Sequence, residues 1–163
     1  MGCGKSSVGR KLSELLCCPF MDLDQVIEES AGRTIPEIFS QDGEPAFRQM
    51  ELETLQTIVS REGLVLALGG GAVMTRECED IVHEKTLCVY LKASVETLLE
   101  HLEGEAEGRP MLRAEKSGEL RERIENLMTI RSATYERTAH IIIDTDGKSI
   151  DEIAMEIKEA IQL

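Results

Sequence analysis

The chain has 163 residues, 42% apolar and 30% charged, with 18 Lys and Arg against 31 Asp and Glu for a formal net charge of −13. That length suits one domain with a sizeable core, and so acidic a balance speaks against broad nucleic-acid or anionic-membrane contact, which needs a field of Lys and Arg. No apolar run approaches the ~18 residues of a membrane span, the first residues lack the apolar stretch of a signal peptide, and a cytoplasmic location is expected.

The first element is a helix entered through a Gly-rich loop, with Val8, Leu12, Leu15 and Leu16 at helical spacing. A short strand is expected at Phe20–Asp24. Thr34, Ile35 and Pro36 supply a cap and a first-turn proline, and then a longer helix turns Phe47, Leu55, Ile58 and Val59 inward. Leu64–Leu68 is apolar on both faces and ends in Gly69, Gly70 and Gly71, which reads as a strand buried in a parallel sheet. Thr86–Leu91 is a further strand, and Ser94 caps a helix with Val95, Leu98, Leu99 and Leu102 on one stripe. The polar, Gly-containing segment Glu103–Gly108 is expected to be a mobile loop. A long charged helix over Gly118–Thr138, a strand at Ile141–Ile143, and a capping box from Ser149 to Glu152 opening a last helix complete the series. Strands alternating with helices predict a three-layer α/β fold with a mainly parallel sheet. The five cysteines, odd in number and with Cys17 and Cys18 adjacent, fit reduced thiols rather than a disulfide or zinc framework.

Chemistry concentrates in a few places. Gly2, Cys3, Gly4, Lys5 and Ser6 match the second half of the phosphate loop G-x-x-x-x-G-K-[ST]. Backbone N–H groups and a helix N-terminus there attract phosphate, Lys5 reaches the β- and γ-phosphates, and Ser6 can ligate Mg²⁺. The first motif glycine and the strand that precedes it are missing from the sequence as given. Asp22 and Asp24 close the second expected strand, where alternation places both carboxylates on one side, one for hydrated Mg²⁺ and one for substrate hydroxyls, or both as solvated turn residues. Three glycines at 69–71 permit close backbone approach to a ligand or form a tight turn. Arg109, after the acidic loop, can sit on a lid over a transferring phosphate. Arg48 and Arg131 lie on helices, where a solvated arginine is the ordinary case.

The joint order of these motifs resembles the shikimate kinase family, small P-loop kinases of the nucleoside-monophosphate-kinase-like group. The resemblance rests on residues 2–6, Met21 to Asp24, Ile35 to Phe39, Gly43, Glu44, Phe47, Arg48, Glu51, Gly69 to Gly71, Arg109, Pro110, Arg131 and Tyr135. It implies one domain over residues 1–163, with a substrate-binding helical segment at about 25–60 and a lid at about 103–117, in a P-loop kinase fold whose first strand is absent here. It implies transfer of the ATP γ-phosphoryl to the 3-hydroxyl of shikimate, with Mg²⁺ as cofactor. Gly2, Cys3, Gly4, Lys5, Ser6, Ser7 and Arg109 would then bind ATP, and Ser6 and Asp22 the metal. Asp24, Arg48, Gly70, Gly71 and Arg131 would bind shikimate, while Lys5, Asp24 and Arg109 act in catalysis. Glu51 would hold Arg48 in place. A monomer that binds neither nucleic acid nor membrane is expected.

Two departures accompany the resemblance. Where many relatives carry an adenine-stacking arginine upstream of the lid arginine, this chain has Leu102, Glu103, Glu105 and Glu107. The absent first strand leads to the expectation that Met1 is not the natural start and that roughly ten further residues, an apolar strand ending in glycine, precede it. A gluconate-kinase-like enzyme would share the phosphate loop but not the Asp-x-Asp, Phe-Arg and triple-glycine set. A nucleotide-binding module without catalysis is the other alternative.

Overall fold

A computed structural model describes residues 3–107 and 117–162. Gly4, at φ 72°, turns the chain into helix α1 (Lys5–Leu16), which buries Val8, Gly9 and Leu12. Helix α1 approaches strand β1 (Phe20–Asp22) so closely that a Cβ on Gly9 would lie 2.6 Å from the Phe20 ring. β1 is shorter than the expected Phe20–Asp24 strand, because Asp22 ends it by capping helix α2 (Leu23–Ala31). Asp24 therefore lies in the first helical turn, and strand alternation is not what sets its direction.

Two helices follow, the second of them the expected longer one. Thr34 and Glu37 form a capping box at the start of α3 (Ile35–Asp42), which stops at Gly43, and α4 (Glu44–Val59) begins there. Gly43 has φ 85° and ψ 167°, a conformation open essentially to glycine alone. Strand β2 (Val65–Ala67) follows, then the triple glycine, a 3₁₀ turn at Ala72–Met74, and helix α5 (Arg76–Lys85).

Strand β3 (Val89–Lys92) leads to helix α6 (Val95–Glu107), which absorbs Glu103–Glu107 and so replaces most of the expected loop. Strong helix formers on both sides of Gly104 outweigh its cost of about 1 kcal/mol. Helix α7 (Ser117–Thr138), strand β4 (Ile141–Asp144) and helix α8 (Ile150–Ile161) follow the expected order, and Ser149 and Glu152 form the expected capping box.

The strands form two parallel pairs. Phe20, Met21 and Asp22 register with Val65, Leu66 and Ala67, and Val89 to Lys92 register with Ile141 to Asp144. Among the described residues no strand joins β2 to β3. The space between them is a cavity of about 590 Å³, walled by β2, β3, α1 and α8. One core cluster, with Leu23, Ile27, Ile38, Phe47 and Leu55, packs α2, α3 and α4 on the first pair. A second, with Val8, Leu12, Ile143 and Ile157, packs α1 and α8 on the second. Among the described residues, no helix is long and apolar enough to cross a membrane.

Candidate active site

The carboxyl ends of parallel strands are where open α/β sheets bind ligands, and the sequence-expected residues gather at that edge. Gly4 gives α1 no side-chain cap. The first-turn N–H groups of a helix lack intrahelical partners, so this end is suited to an anion. Lys5 is the first residue of α1, with its Nζ 3.7 Å from the Cys3 sulfur. Gly2 lies outside the described residues.

Ser6 and Asp22 meet although sixteen residues separate them: the Ser6 hydroxyl donates to Asp22 Oδ2 at 2.7 Å. The other Asp22 oxygen accepts from the N–H groups of Asp24 and Gln25 at 3.1 and 3.3 Å, as an N-cap should. A hydroxyl and a carboxylate oxygen in contact are hard donors of the kind Mg²⁺ takes when it keeps several waters and binds substrate phosphates. Among the described residues no cluster of three or more His, Cys, Asp and Glu could hold a metal by itself.

Asp24 lies against the first glycine. A Cβ on Gly69 would fall 2.9 Å from Asp24 Oδ1, so the carboxylate rests on bare backbone. Burial, and then the charge of Asp22, push the Asp24 carboxyl above its ordinary range, while Lys5 and Arg48 pull it back. Carboxylate, ammonium and guanidinium thus act on one another at one place.

Arg48 lies against the third glycine, where a Cβ on Gly71 would fall 2.6 Å from its Nη2. Its Nη1 donates to Glu51 Oε2 at 2.8 Å and its Nη2 to Glu44 Oε1 at 3.4 Å. Glu51 is 1% exposed. Burial pushes its carboxyl upward, and the Arg48 guanidinium opposes that shift. Leaving one partner of such a pair alone and buried is costly, which holds the guanidinium in one orientation over the glycines. The expected role of Glu51, to steady Arg48 from one helical turn away, agrees with this geometry.

Arg131 lies on α7, half-buried, and among the described residues it has no hydrogen-bond or ion-pair partner. One turn further along the same helix the Tyr135 hydroxyl donates to the Gly70 carbonyl. Sequence reading placed Tyr135 in the motif without a contact. A tyrosine four residues after a candidate arginine was the available signal, because that spacing puts both on one helix face. Arg109 lies outside the described residues, as does most of the expected lid.

The profile of the family described as shikimate kinase matches residues 1–162. A shikimate kinase of Dictyoglomus turgidum is 42% identical over 165 residues, covering 99% of this chain and 93% of its own. One from Thermus thermophilus is 42% identical over 159 residues, covering 98% and 84%. Among solved structures, the shikimate kinase from Acinetobacter baumannii in complex with shikimate aligns with a TM-score of 0.88 at 36% identity, covering 99% of this chain and 88% of that one. The enzyme from Bacteroides thetaiotaomicron aligns with a TM-score of 0.90 at 28% identity, covering 100% and 94%. The profile match over residues 1–162, with relatives 42% identical over 98–99% of the chain, places this protein in the shikimate kinase family of P-loop α/β phosphotransferases.

Proposed function

We propose that the chain transfers the γ-phosphoryl group of ATP to the 3-hydroxyl of shikimate. The observation that carries this reading is the glycine edge at 69–71, where Asp24 and Arg48 rest on backbone two residues apart. A polyhydroxy acid needs a carboxylate for its hydroxyls and a guanidinium for its acid group, and both are supplied in one place.

Gly2, Cys3, Gly4, Lys5, Ser6 and Ser7 form the phosphate side, with Lys5 as a point charge on the transferring group. Ser6 and Asp22 would hold Mg²⁺, which when bound neutralises charge on the phosphates. Asp24 accepts from the reacting hydroxyl and takes its proton as the new P–O bond forms and the bond to ADP breaks. Its raised pKa suits a proton acceptor. Arg48 and Arg131 clamp the acid group, which the guanidinium fork matches better than an ammonium, and the N–H groups of Gly70 and Gly71 line the same end. Arg109 closes over the transferring phosphoryl and neutralises developing charge as water is excluded. In this reading residues 1–163 are one cytoplasmic, monomeric domain, with the acceptor held by the segment at about 25–60 and the lid at about 103–117. Because phosphoryl transfer depends mainly on positioning and charge stabilisation, the fixed Arg48 and Asp24 are its main contribution.

A coupled assay of ADP release tests the reading, with shikimate, quinate and gluconate compared as acceptors. ADP release that requires shikimate is expected. Equal release with gluconate, or nucleotide binding with no acceptor-dependent release, overturns it.

A further inference from the structure

We infer that Tyr135 is a positioning residue that sets the direction of the Gly70–Gly71 peptide, and through it the affinity for the acid end of the acceptor; this rests on the function proposed above. Each carbonyl of the triple glycine is engaged inside the protein. Gly69 accepts from the Ala72 N–H and Gly71 from the Met74 N–H, both at 3.1 Å, through the 3₁₀ turn. The Gly70 carbonyl accepts from the Tyr135 hydroxyl on α7. A ligand at this loop therefore meets N–H groups, which suit an anion.

The peptide geometry makes the Tyr135 contact directional. No peptide bond among the described residues is cis, and in a trans peptide the C=O of one residue and the N–H of the next point opposite ways. Holding the Gly70 carbonyl toward α7 turns the Gly71 N–H to the other side. The turn's own bonds close it across the Gly70–Gly71 peptide without fixing which way that peptide faces, and glycine resists such rotation little, so the Tyr135 contact sets its direction.

Tyr135 is built to be that anchor. Its ring packs beside the buried cluster that includes Ala72 and Val73, and it lies 5.2 Å from the Tyr90 ring, centroid to centroid. Arg131 sits one turn before it on the same helix face. Helix α7 thus presents a guanidinium for the acid group and a hydroxyl that orients the backbone beside it. The neighbouring Tyr90 supplies an internal control, because its buried hydroxyl has no hydrogen-bond partner among the described residues.

Tyr135→Phe keeps the ring and removes the hydroxyl. Loss of one neutral hydrogen bond corresponds to about a three- to tenfold effect, and we expect it in the KM for shikimate. The KM for ATP and kcat should stay within about twofold, because the acid end of the acceptor is held equally in the ground state and the transition state. Tyr90→Phe should leave all three unchanged. A Tyr135→Phe protein with a lower Tm and an unchanged shikimate KM has lost only a structural bond, and the inference fails. Equal changes in both KM values overturn it as well. A wild-type protein with no shikimate-dependent ADP release overturns the functional reading together with this one, whereas a shikimate-active wild type beside an indifferent variant overturns this one alone.

Discussion

The role proposed for Asp24 sets chemistry against stability. Its carboxyl is raised by burial and by Asp22, so its folded pKa lies above its unfolded value. Between those two values folding takes up a proton, and stability falls as pH rises through that window, with the full penalty present above the folded pKa. At neutral pH the charged Asp24 therefore opposes folding. Asp24→Asn is expected to lower turnover by about 10²–10⁴, the usual worth of a positioned base, while raising Tm at neutral pH. The Tm gain should vanish below the ordinary aspartate value, about pH 3.9, where wild type is protonated as well. Thermal melts of both proteins across pH check this, and a Tm difference independent of pH would sink the idea. The pairing of Asp24 with Gly69 and Arg48 with Gly71 could not be read from the sequence, because each joins segments far apart in the chain. Residue type and motif order pointed to all four residues, and only folding shows why the edge must be glycine.

At the scale of elements, the sequence was most informative where side chains close the ends. The cap at Thr34, the capping box at Ser149–Glu152, and the cap from Ser94 to the Thr97 N–H at 3.2 Å lie where the residue pattern puts them. It misled where one residue takes two duties. Asp22 is both the last residue of β1 and the cap of α2, so an apolar-to-acidic run looked like a longer strand. Helix α5 leaves no apolar stripe in the sequence, because only Cys78 and Val82 of Arg76–Lys85 are buried. Gly43 ends α3 and begins α4, and its backbone angles would cost another residue about 1–3 kcal/mol. Gly43→Ala should therefore lower stability by about that amount. It should also raise the KM for shikimate, because Arg48 lies in the second turn of the helix that Gly43 starts. Denaturant melts and steady-state kinetics read the two effects. A loss of stability without any change in that KM would mean that the α3–α4 corner does not aim Arg48.

Across the whole molecule, the two strand pairs face each other over a cavity of about 590 Å³. Isolated two-stranded pairs are marginal by themselves, so α1 and α8 on one side and α2 to α5 on the other carry much of the cohesion. Val65, Leu66 and Ala67 of β2 and Cys88, Val89 and Leu91 at β3 line that cavity, together with Leu12 of α1 and Ile157 of α8. Backbone edges buried without partners cost about 1–3 kcal/mol per group, a large share of the ~5–15 kcal/mol that holds a domain together. Lys5 lines both this cavity and the smaller one of about 110 Å³ beside Gly69 and Gly70. A strand laid in this cavity parallel to β2 and β3 would run out beside Lys5. An apolar strand of about six residues, joined to the chain so as to fill this cavity, should raise Tm by at least ~5 °C. It should also tighten ATP binding, because a loop held at both ends loses less freedom when phosphate arrives. Melts and calorimetric titrations of the two chains decide it. Equal Tm values would show that the cavity does not accept a strand, and a higher Tm with unchanged ATP affinity would show that the strand completes the sheet without organising the loop.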